Sequence, residues 1–287
     1  MGMSIPRRYF GGTIMRLGPM LLGIGVWLAA AAAPPAFGET DEATRAARWA
    51  DLRAQIFGDR SLEDGAGLLA IEAPARAEDA AIVPVRIRIA GELRRDVGQL
   101  YFVIDDNPSP LAGRFVFGPA ADPSEIAIRV RVDDYTYLHA VAETKDGRLY
   151  AVARFIKAAG GCSAPAGKDQ ALAMQRLGRM KMTMKGPPHL GEPLETHLLV
   201  SHPNSSGMQM DQVTRNYVPA DFVRTIRLRY AGKPLLTMES DISISEDPSL
   251  TFAFVPSTAN AEIEAAVDDS SNRHFERRWP VKVEPGT

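Results

Sequence analysis

The chain has 287 residues, of which 45% are hydrophobic and 24% charged, and its formal net charge is −2. This composition is typical of a folded protein long enough for two domains, and it excludes a wholly disordered chain. Because the charge is slightly negative and no dense Lys/Arg cluster occurs, we expect no nucleic-acid partner.

The first 38 residues have the pattern of an export signal. Three arginines precede an uncharged apolar run over residues 17–33, and small residues would allow cleavage before Glu39. The pair Arg7-Arg8 fits the core of a twin-arginine signal, so the Sec and Tat routes both stay open. The alternative is a retained membrane anchor. We expect a cleaved signal, no membrane contact after cleavage, and a periplasmic protein.

The mature chain is predicted to begin with one amphipathic helix. Trp49, Leu52 and Ile56 recur at helical spacing, and Gly58 follows the end of the pattern. We expect this helix to pack its aromatic face on a sheet.

Beyond the helix, period-2 patterns and short apolar runs predict β-strands. In the first half they cover residues 83–89, 100–104, 126–132, 137–142 and 149–156. In the second half they cover residues 180–184, 194–200, 222–230, 234–238, 250–255, 261–267 and 275–281. Alternation places Arg129 and Arg131 on a solvent-facing side of their strand. Many short strands without intervening helices predict an all-β protein built as antiparallel sandwiches.

Between the two strand-rich halves lies a Gly-Gly-Cys stretch, over residues 158–167, that contains Cys162, the sole cysteine. Gly and Pro on both sides of Cys162 break helix and strand patterns, which predicts a solvated loop with an exposed thiol. A single cysteine in an exported chain cannot form an internal disulfide, and it leaves open a dimer linked through Cys162. No histidine is near in sequence to activate the thiol, so we expect a carrier thiol rather than a catalytic nucleophile.

Two other groups could bind a metal. Met180, Met182 and Met184 alternate along a predicted strand and could bind Cu(I), but a buried strand face explains them better. The segment 202–211 contains one His, two Met and one Asp without a recognised ligand spacing, so we expect a structured loop at a domain or partner contact. The paired acids at 105–106, 133–134 and 268–269 are expected in turns. We therefore predict no metal site.

The chain resembles the Sox sulfur-oxidation family. Residues 77–85 (AEDAAIVPV), 104–110 (IDDNPSP) and 159–162 (AGGC) are similar to SoxY, the sulfur-carrier subunit. His202-Pro203, Gly207-Met208 and the segment 223–233 are similar to SoxZ. Together they resemble fused SoxYZ-like carriers associated with quinoprotein dehydrogenases.

The resemblance implies two immunoglobulin-like β-sandwich domains: a SoxY-like domain over 39–157, a linker over 158–172 and a SoxZ-like domain over 173–287. It implies no enzyme activity and no cofactor. It makes Cys162 the point of covalent attachment for a sulfur-type intermediate, with Gly160 and Gly161 as a flexible arm.

The implied partners are periplasmic redox enzymes: Sox-like enzymes, a quinoprotein dehydrogenase or a c-type cytochrome. In SoxY the arm is a free C-terminus, whereas here it is tethered at both ends and spans at most about 40 Å. Two alternatives remain, a non-covalent scaffold for a dehydrogenase system and a copper-handling protein.

Overall fold

The computed structural model describes residues 42–165, 170–212 and 214–283, and the predicted export signal lies outside them. The helices in this part are α1 (Glu42–Phe57), α2 (Leu93–Asp96) and α3 (Gln170–Gln175). None of these helices is long and apolar enough to cross a membrane.

Several of the strands alternate buried and more exposed side chains, as predicted for sandwich strands. Those of the first half are β1 (Leu62–Asp64), β2 (Leu69–Glu72), β3 (Val83–Ile89), β4 (Val97–Ile104), β5 (Leu111–Phe117), β6 (Ala121–Val130), β7 (Thr136–Thr144) and β8 (Leu149–Ile156). Those of the second half are β9 (Met180–Met184), β10 (Leu194–Val200), β11 (Val223–Tyr230), β12 (Lys233–Ser240), β13 (Ser249–Phe254), β14 (Asn260–Asp269) and β15 (His274–Lys282).

The described strands form two sheets, and each sheet takes strands from both halves of the chain. One has the order β1-β8-β7-β4-β5-β12-β11-β14-β15, and the other has the order β2-β3-β6-β13-β10-β9. The pairing is antiparallel except between β1 and β8. The all-β sandwich class is thereby confirmed.

The halves are joined edge to edge, by β5 with β12 in one sheet and by β6 with β13 in the other. Phe115 pairs with Met238 at the first junction, and Ile126 pairs with Phe252 at the second. All four side chains are buried in one continuous apolar core. The described residues accordingly belong to one compact unit, and the boundary predicted between the two domains stays a prediction.

Helix α1 packs its aromatic face on the outer face of the larger sheet, as the helical spacing of Trp49, Leu52 and Ile56 predicted. The Trp49 ring stacks on His139 with 3.6 Å between ring centroids, and Phe57 meets Tyr101 edge to face. The orientation of the His139 ring is fixed because its Nδ1 bonds the Asp105 carboxylate at 2.9 Å.

We predict that Phe115→Ala lowers the free energy of unfolding by about 3–5 kcal/mol. Its ring is fully buried at the junction of the halves, so the cavity would weaken both. Calorimetry should show one cooperative transition shifted as a whole, while Tyr217→Ala, at a side chain 66% exposed, should change stability by less than about 0.5 kcal/mol. Two separate transitions, only one of them shifted, would contradict this expectation.

Candidate functional site

The Gly-Gly-Cys stretch leaves β8 and runs beside the segment that follows β6. The backbone N–H of Gly160 donates to the carbonyl oxygen of Asp133 at 2.7 Å, and that of Gly161 donates to the carbonyl oxygen of Val132 at 3.0 Å. These bonds hold the stretch against the sandwich rather than in solvent.

The two glycines have different functions in this arrangement. At Gly161 a Cβ would lie 2.0 Å from the carbonyl oxygen of Ala80 and 2.6 Å from that of Val132, so no side chain fits. At Gly160 the backbone has φ of +74°, and the nearest atom to a Cβ is the Ser163 hydroxyl oxygen at 4.0 Å. Gly160 thus supplies a left-handed turn, and Gly161 supplies a close backbone approach.

Cys162 is the centre of the stretch, and it is fully buried, with 0% of its surface exposed. Its backbone N–H donates to Oδ1 of Asp133 at 3.2 Å, and its carbonyl oxygen accepts a hydrogen bond from the Ser206 hydroxyl. Two residues further on, the carbonyl oxygen of Ala164 accepts from Nε2 of Gln209 at 2.9 Å. Side chains from both halves therefore hold the cysteine in place.

Ser206 and Gln209 belong to residues 202–221, which we call the cover loop. Its described residues form an irregular hairpin, closed by isolated bridges between Ser205 and Asp221 and between Met210 and Tyr217.

The base of the cover loop is fixed by Asn204, which is buried and has φ of +46°. Its Nδ2 donates to the carbonyl oxygen of Ile244 at 2.9 Å, and its Oδ1 accepts from the backbone N–H of Val223 at 2.9 Å. Asn tolerates this left-handed conformation better than most residues do. The loop therefore has a rigid base beside the cysteine.

The surroundings keep the thiol of Cys162 protonated. Burial raises its pKa from 9.0 to about 12, and the nearby Asp133 carboxylate acts in the same direction, while Arg131 partly offsets both. Because the thiolate is the nucleophile, the docked thiol is a poor one at neutral pH.

Arg131 lies beside the same stretch, and only 1% of its surface is exposed. Its Nη1 donates to the carbonyl oxygen of Gly161 at 3.5 Å, and its Nη2 donates to that of Asn204 at 3.2 Å. Its Nε has no hydrogen-bond partner among the described residues. Burial lowers the pKa of Arg131, yet a guanidinium stays charged in proteins.

The solvent-facing position predicted for Arg131 is therefore wrong. The strand β6 ends at Val130, so strand alternation does not extend to the next residue. The signal that sequence reasoning could have used is position in the chain: Arg131 lies at the end of the predicted strand 126–132, and Asp133 directly follows that strand.

Comparison with protein families gives two matches, one in each half of the chain. The family "Sulfur oxidation protein SoxY" matches residues 53–162, and the family "Sulphur oxidation protein SoxZ" matches residues 182–280. The chain is a SoxYZ-like fusion. These families indicate a sulfur-oxidation carrier protein rather than an enzyme. No curated protein matches the chain.

Among solved structures, the SoxYZ-like fusion is similar to the sulfur carrier protein SoxY from Chlorobium limicola f thiosulfatophilum. The identity is 27%, over 40% of this chain and 96% of that chain, with a TM-score of 0.35. A beta-glycosidase from Bacteroides vulgatus matches at 9% identity over 75% of this chain and 24% of that chain, with a TM-score of 0.23.

In the SoxYZ-like fusion, Cys162 is the last residue of the SoxY match, and the cover loop lies within the SoxZ match. The predicted contact function of segment 202–211 is confirmed, because Ser206 and Gln209 bond the cysteine stretch.

The predicted exposed thiol and solvated arm are wrong for the conformation that the structure shows. Local composition around Cys162 is typical of a loop, but Gly161 and Cys162 are buried by residues distant in sequence. A dimer linked through Cys162 would require the thiol to leave this position. The function of Cys162 as attachment point, with Gly160 and Gly161 as its arm, stays a prediction.

One described cluster has the composition of a metal site: His202, Asp221 and Asp269 offer ligand atoms within 4.8 Å of one another. Arg273 donates to both carboxylates, with Nε 2.6 Å from Oδ2 of Asp269. A guanidinium therefore already supplies the positive charge. Burial lowers the pKa of His202, and the cluster is a buried polar network that supports the cover loop.

The methionines of β9 pack on the core, as the preferred interpretation predicted. Met180 is buried, and Met182 and Met184 pack partly buried against the same apolar cluster. The nearby His197 bonds the Ser249 hydroxyl through Nε2 at 2.8 Å.

Proposed function

We propose that this protein is a periplasmic covalent carrier, which holds a sulfur-type intermediate on the Cys162 thiol and presents it to partner redox enzymes. The observation that supports this proposal best is the position of the sole thiol. Cys162 is the last residue that matches SoxY, and its carbonyl oxygen accepts a hydrogen bond from Ser206 of the cover loop, which lies within the SoxZ match.

The proposed cycle has a docked and an undocked state. In the docked state the thiol is buried and protonated, so it does not react with stray electrophiles. Once undocked, the Cys162 thiol loses its proton, and the thiolate attacks a sulfur atom that is bonded to a second sulfur on a donor enzyme. A new S–S bond to Cys162 forms as the S–S bond on the donor breaks. The leaving thiolate takes up the proton, so this exchange needs no external oxidant.

The partners and the compartment are part of the same proposal. Residues 1–38 direct export, and cleavage leaves a chain beginning at Glu39. The donor and acceptor are Sox-like enzymes, or a quinoprotein dehydrogenase with a c-type cytochrome.

One observation favours a second function, that of a non-covalent scaffold for a dehydrogenase system. Cys162 is fully buried and carries a raised pKa, and both are typical of a structural cysteine. Under that function the cysteine only fills space.

The Cys162→Ser variant distinguishes the two functions. If Cys162 is the attachment point, intact mass of the wild type from the native periplasm should exceed that of the mature chain by a bound group, and the variant should lack it. The variant should also lose the growth that depends on the carrier. Ser163→Ala, at an exposed neighbouring hydroxyl, is the matched control and should keep the adduct. A wild type that is free thiol under every growth condition, with normal growth of the Cys162→Ser strain, would support the scaffold instead.

A further inference from the structure

Exposed apolar side chains are concentrated beside the cysteine stretch. In the described part of the chain five large apolar side chains are exposed, and four of them belong to α3 or to the cover loop. These four are Leu172, Met174, Met210 and Tyr217, which we call the apolar patch. The fifth, Leu190, lies at the other end of β10 from the cover loop. Exposed apolar side chains that cluster, rather than lie singly, mark an interaction surface.

A groove joins α3 to the cover loop and makes the patch continuous. It is lined by Met174 of α3 and by Pro203, Val218 and Pro219 of the cover loop. Val218 directly follows Tyr217, and its backbone N–H donates to the carbonyl oxygen of Gln209 at 2.8 Å. Gln209 in turn precedes Met210, which forms a bridge with Tyr217. The apolar patch therefore extends over two elements that are distant in the chain.

The apolar patch is attached to the loop that buries the thiol. Gln209, between the cysteine stretch and Met210, donates to the carbonyl oxygen of Ala164. Helix α3 lies in the segment between the SoxY match, which ends at residue 162, and the SoxZ match, which begins at residue 182. A protein that binds the patch would thus contact both the connection between the halves and the loop that holds Cys162.

Arginines surround the apolar patch. Arg176 follows α3, Arg215 lies near the tip of the cover loop and Arg224 follows that loop, and all three are exposed. The acidic residues of the cover loop are Asp211 and Asp221, and Asp221 is already paired within the buried polar network. Arginines therefore outnumber acids around the patch, although the chain as a whole has a net charge of −2.

This charge distribution decides between a second copy of the chain and a different partner. A twofold interface brings the same surface of both copies together, so each of the three arginines would meet a patch that is also rich in arginine. A partner whose apolar face has an acidic rim avoids this repulsion, and opposite charges also speed the encounter.

From these observations we infer that the apolar patch is the docking surface for the enzyme that exchanges the carried group with Cys162, and that this enzyme binds through an apolar face with an acidic rim. The inference rests on the proposed carrier function. To reach the thiol, the enzyme must break the hydrogen bonds from Ser206 and Gln209 to the cysteine stretch. Binding to the patch places the enzyme on the same loop that supplies those bonds.

The rate of loading, that is, of attachment of the carried group to Cys162, tests the apolar part of the surface. Purified protein with a free thiol is added to an extract of native cells, and intact mass follows the adduct with time. Tyr217→Ser and Met174→Ser should each slow loading about tenfold, since a few anchor side chains dominate an interface. Leu190→Ser, at an equally exposed side chain outside the patch, should load within about twofold of the wild type. Melting curves should confirm that all three variants fold.

The arginines are tested in the same assay. The double variant Arg215→Glu with Arg224→Glu should slow loading about tenfold or more, and added salt should slow the wild type and narrow the difference between them. Arg53→Glu, at an exposed residue of α1, is the matched control and should load normally. Loading that is equally fast in the wild type and in all patch variants would overturn the inference and leave the carrier function intact.

Photo-crosslinking locates the partner without relying on an adduct. With p-benzoylphenylalanine in place of Tyr217, light should join the chain to a second protein of the extract, and the two Arg→Glu changes should reduce the yield about tenfold. The same group in place of Leu190 should give no such product. A product that contains two copies of this chain would overturn the inference. The expected product together with no adduct on wild-type Cys162 would contradict the carrier function and leave the patch as the docking surface of a scaffold.

Discussion

At pH 8, iodoacetamide should label Cys162 at least about a thousand times more slowly in the folded protein than in the chain unfolded by urea. The pKa of the docked thiol is about 12, against 9.0 for an unperturbed thiol, and this difference lowers the thiolate fraction by about a thousandfold. Burial of the sulfur adds a steric barrier. Labelling followed by intact-mass spectrometry measures both rates.

The pH dependence of labelling follows from the same difference. For the unfolded chain the rate should level off once the pH exceeds about 9, because the thiol is then ionised. For the folded protein it should continue to rise toward pH 12. Since the folded pKa is raised, the contribution of the buried thiol to stability is full below pH 9 and is lost as the pH rises through about 12.

The cover loop should determine this protection. Ser206→Ala and Gln209→Ala each remove one hydrogen bond to the cysteine stretch, of about 1 kcal/mol each. We expect each to speed labelling about fivefold and the double variant about thirtyfold. Ser163→Ala, whose hydroxyl bonds the Gly160 carbonyl oxygen within the stretch itself, should leave the rate unchanged. Wild-type labelling as fast as that of the unfolded chain would contradict the docked state.

Local patterns predicted the strands well where one face is buried. In β3 the alternation of Val83, Val85, Ile87 and Ile89 marks the core face, and all four side chains are buried. Strand β5 lacks such a pattern, because Ala112 and Gly113 are buried in succession. Pairing of β5 with β12 is a long-range contact that no local pattern encodes, so the continuity of the sheets could not be predicted.

The candidate site, like the fold, could be predicted from the sequence only in part. The sole cysteine and its glycines identify the position of the site, and the resemblance to SoxY and SoxZ assigns its class. The environment of Cys162 depends on Ala80 and Ser206, which are far away in the chain. Composition alone favours solvent for a Gly-rich stretch, and only the folded arrangement shows that backbone atoms of Ala80 and Val132 require a glycine at position 161.

Gly161→Ala should undock the cysteine stretch while the sandwich stays folded. The added Cβ would lie 2.0 Å from the carbonyl oxygen of Ala80 and 2.6 Å from that of Val132. These are backbone atoms of the sandwich and cannot move aside as a flexible side chain would. The stretch itself must leave, and Cys162 then loses the hydrogen bond that it accepts from Ser206 and the one that it donates to Asp133. We expect labelling of Cys162 at pH 8 to rise about a hundredfold or more above the wild-type rate.

The matched control is Gly160→Ala, one residue earlier in the same stretch. Its Cβ meets nothing closer than the Ser163 hydroxyl oxygen at 4.0 Å, but its φ of +74° costs a non-glycine residue about 1 kcal/mol. This variant should label less than about tenfold faster than the wild type. Melting curves should confirm that both variants retain a cooperative fold. A Gly161→Ala protein as protected as the wild type would show that the stretch is not held by this contact, and that exposure of the carrier thiol is controlled elsewhere.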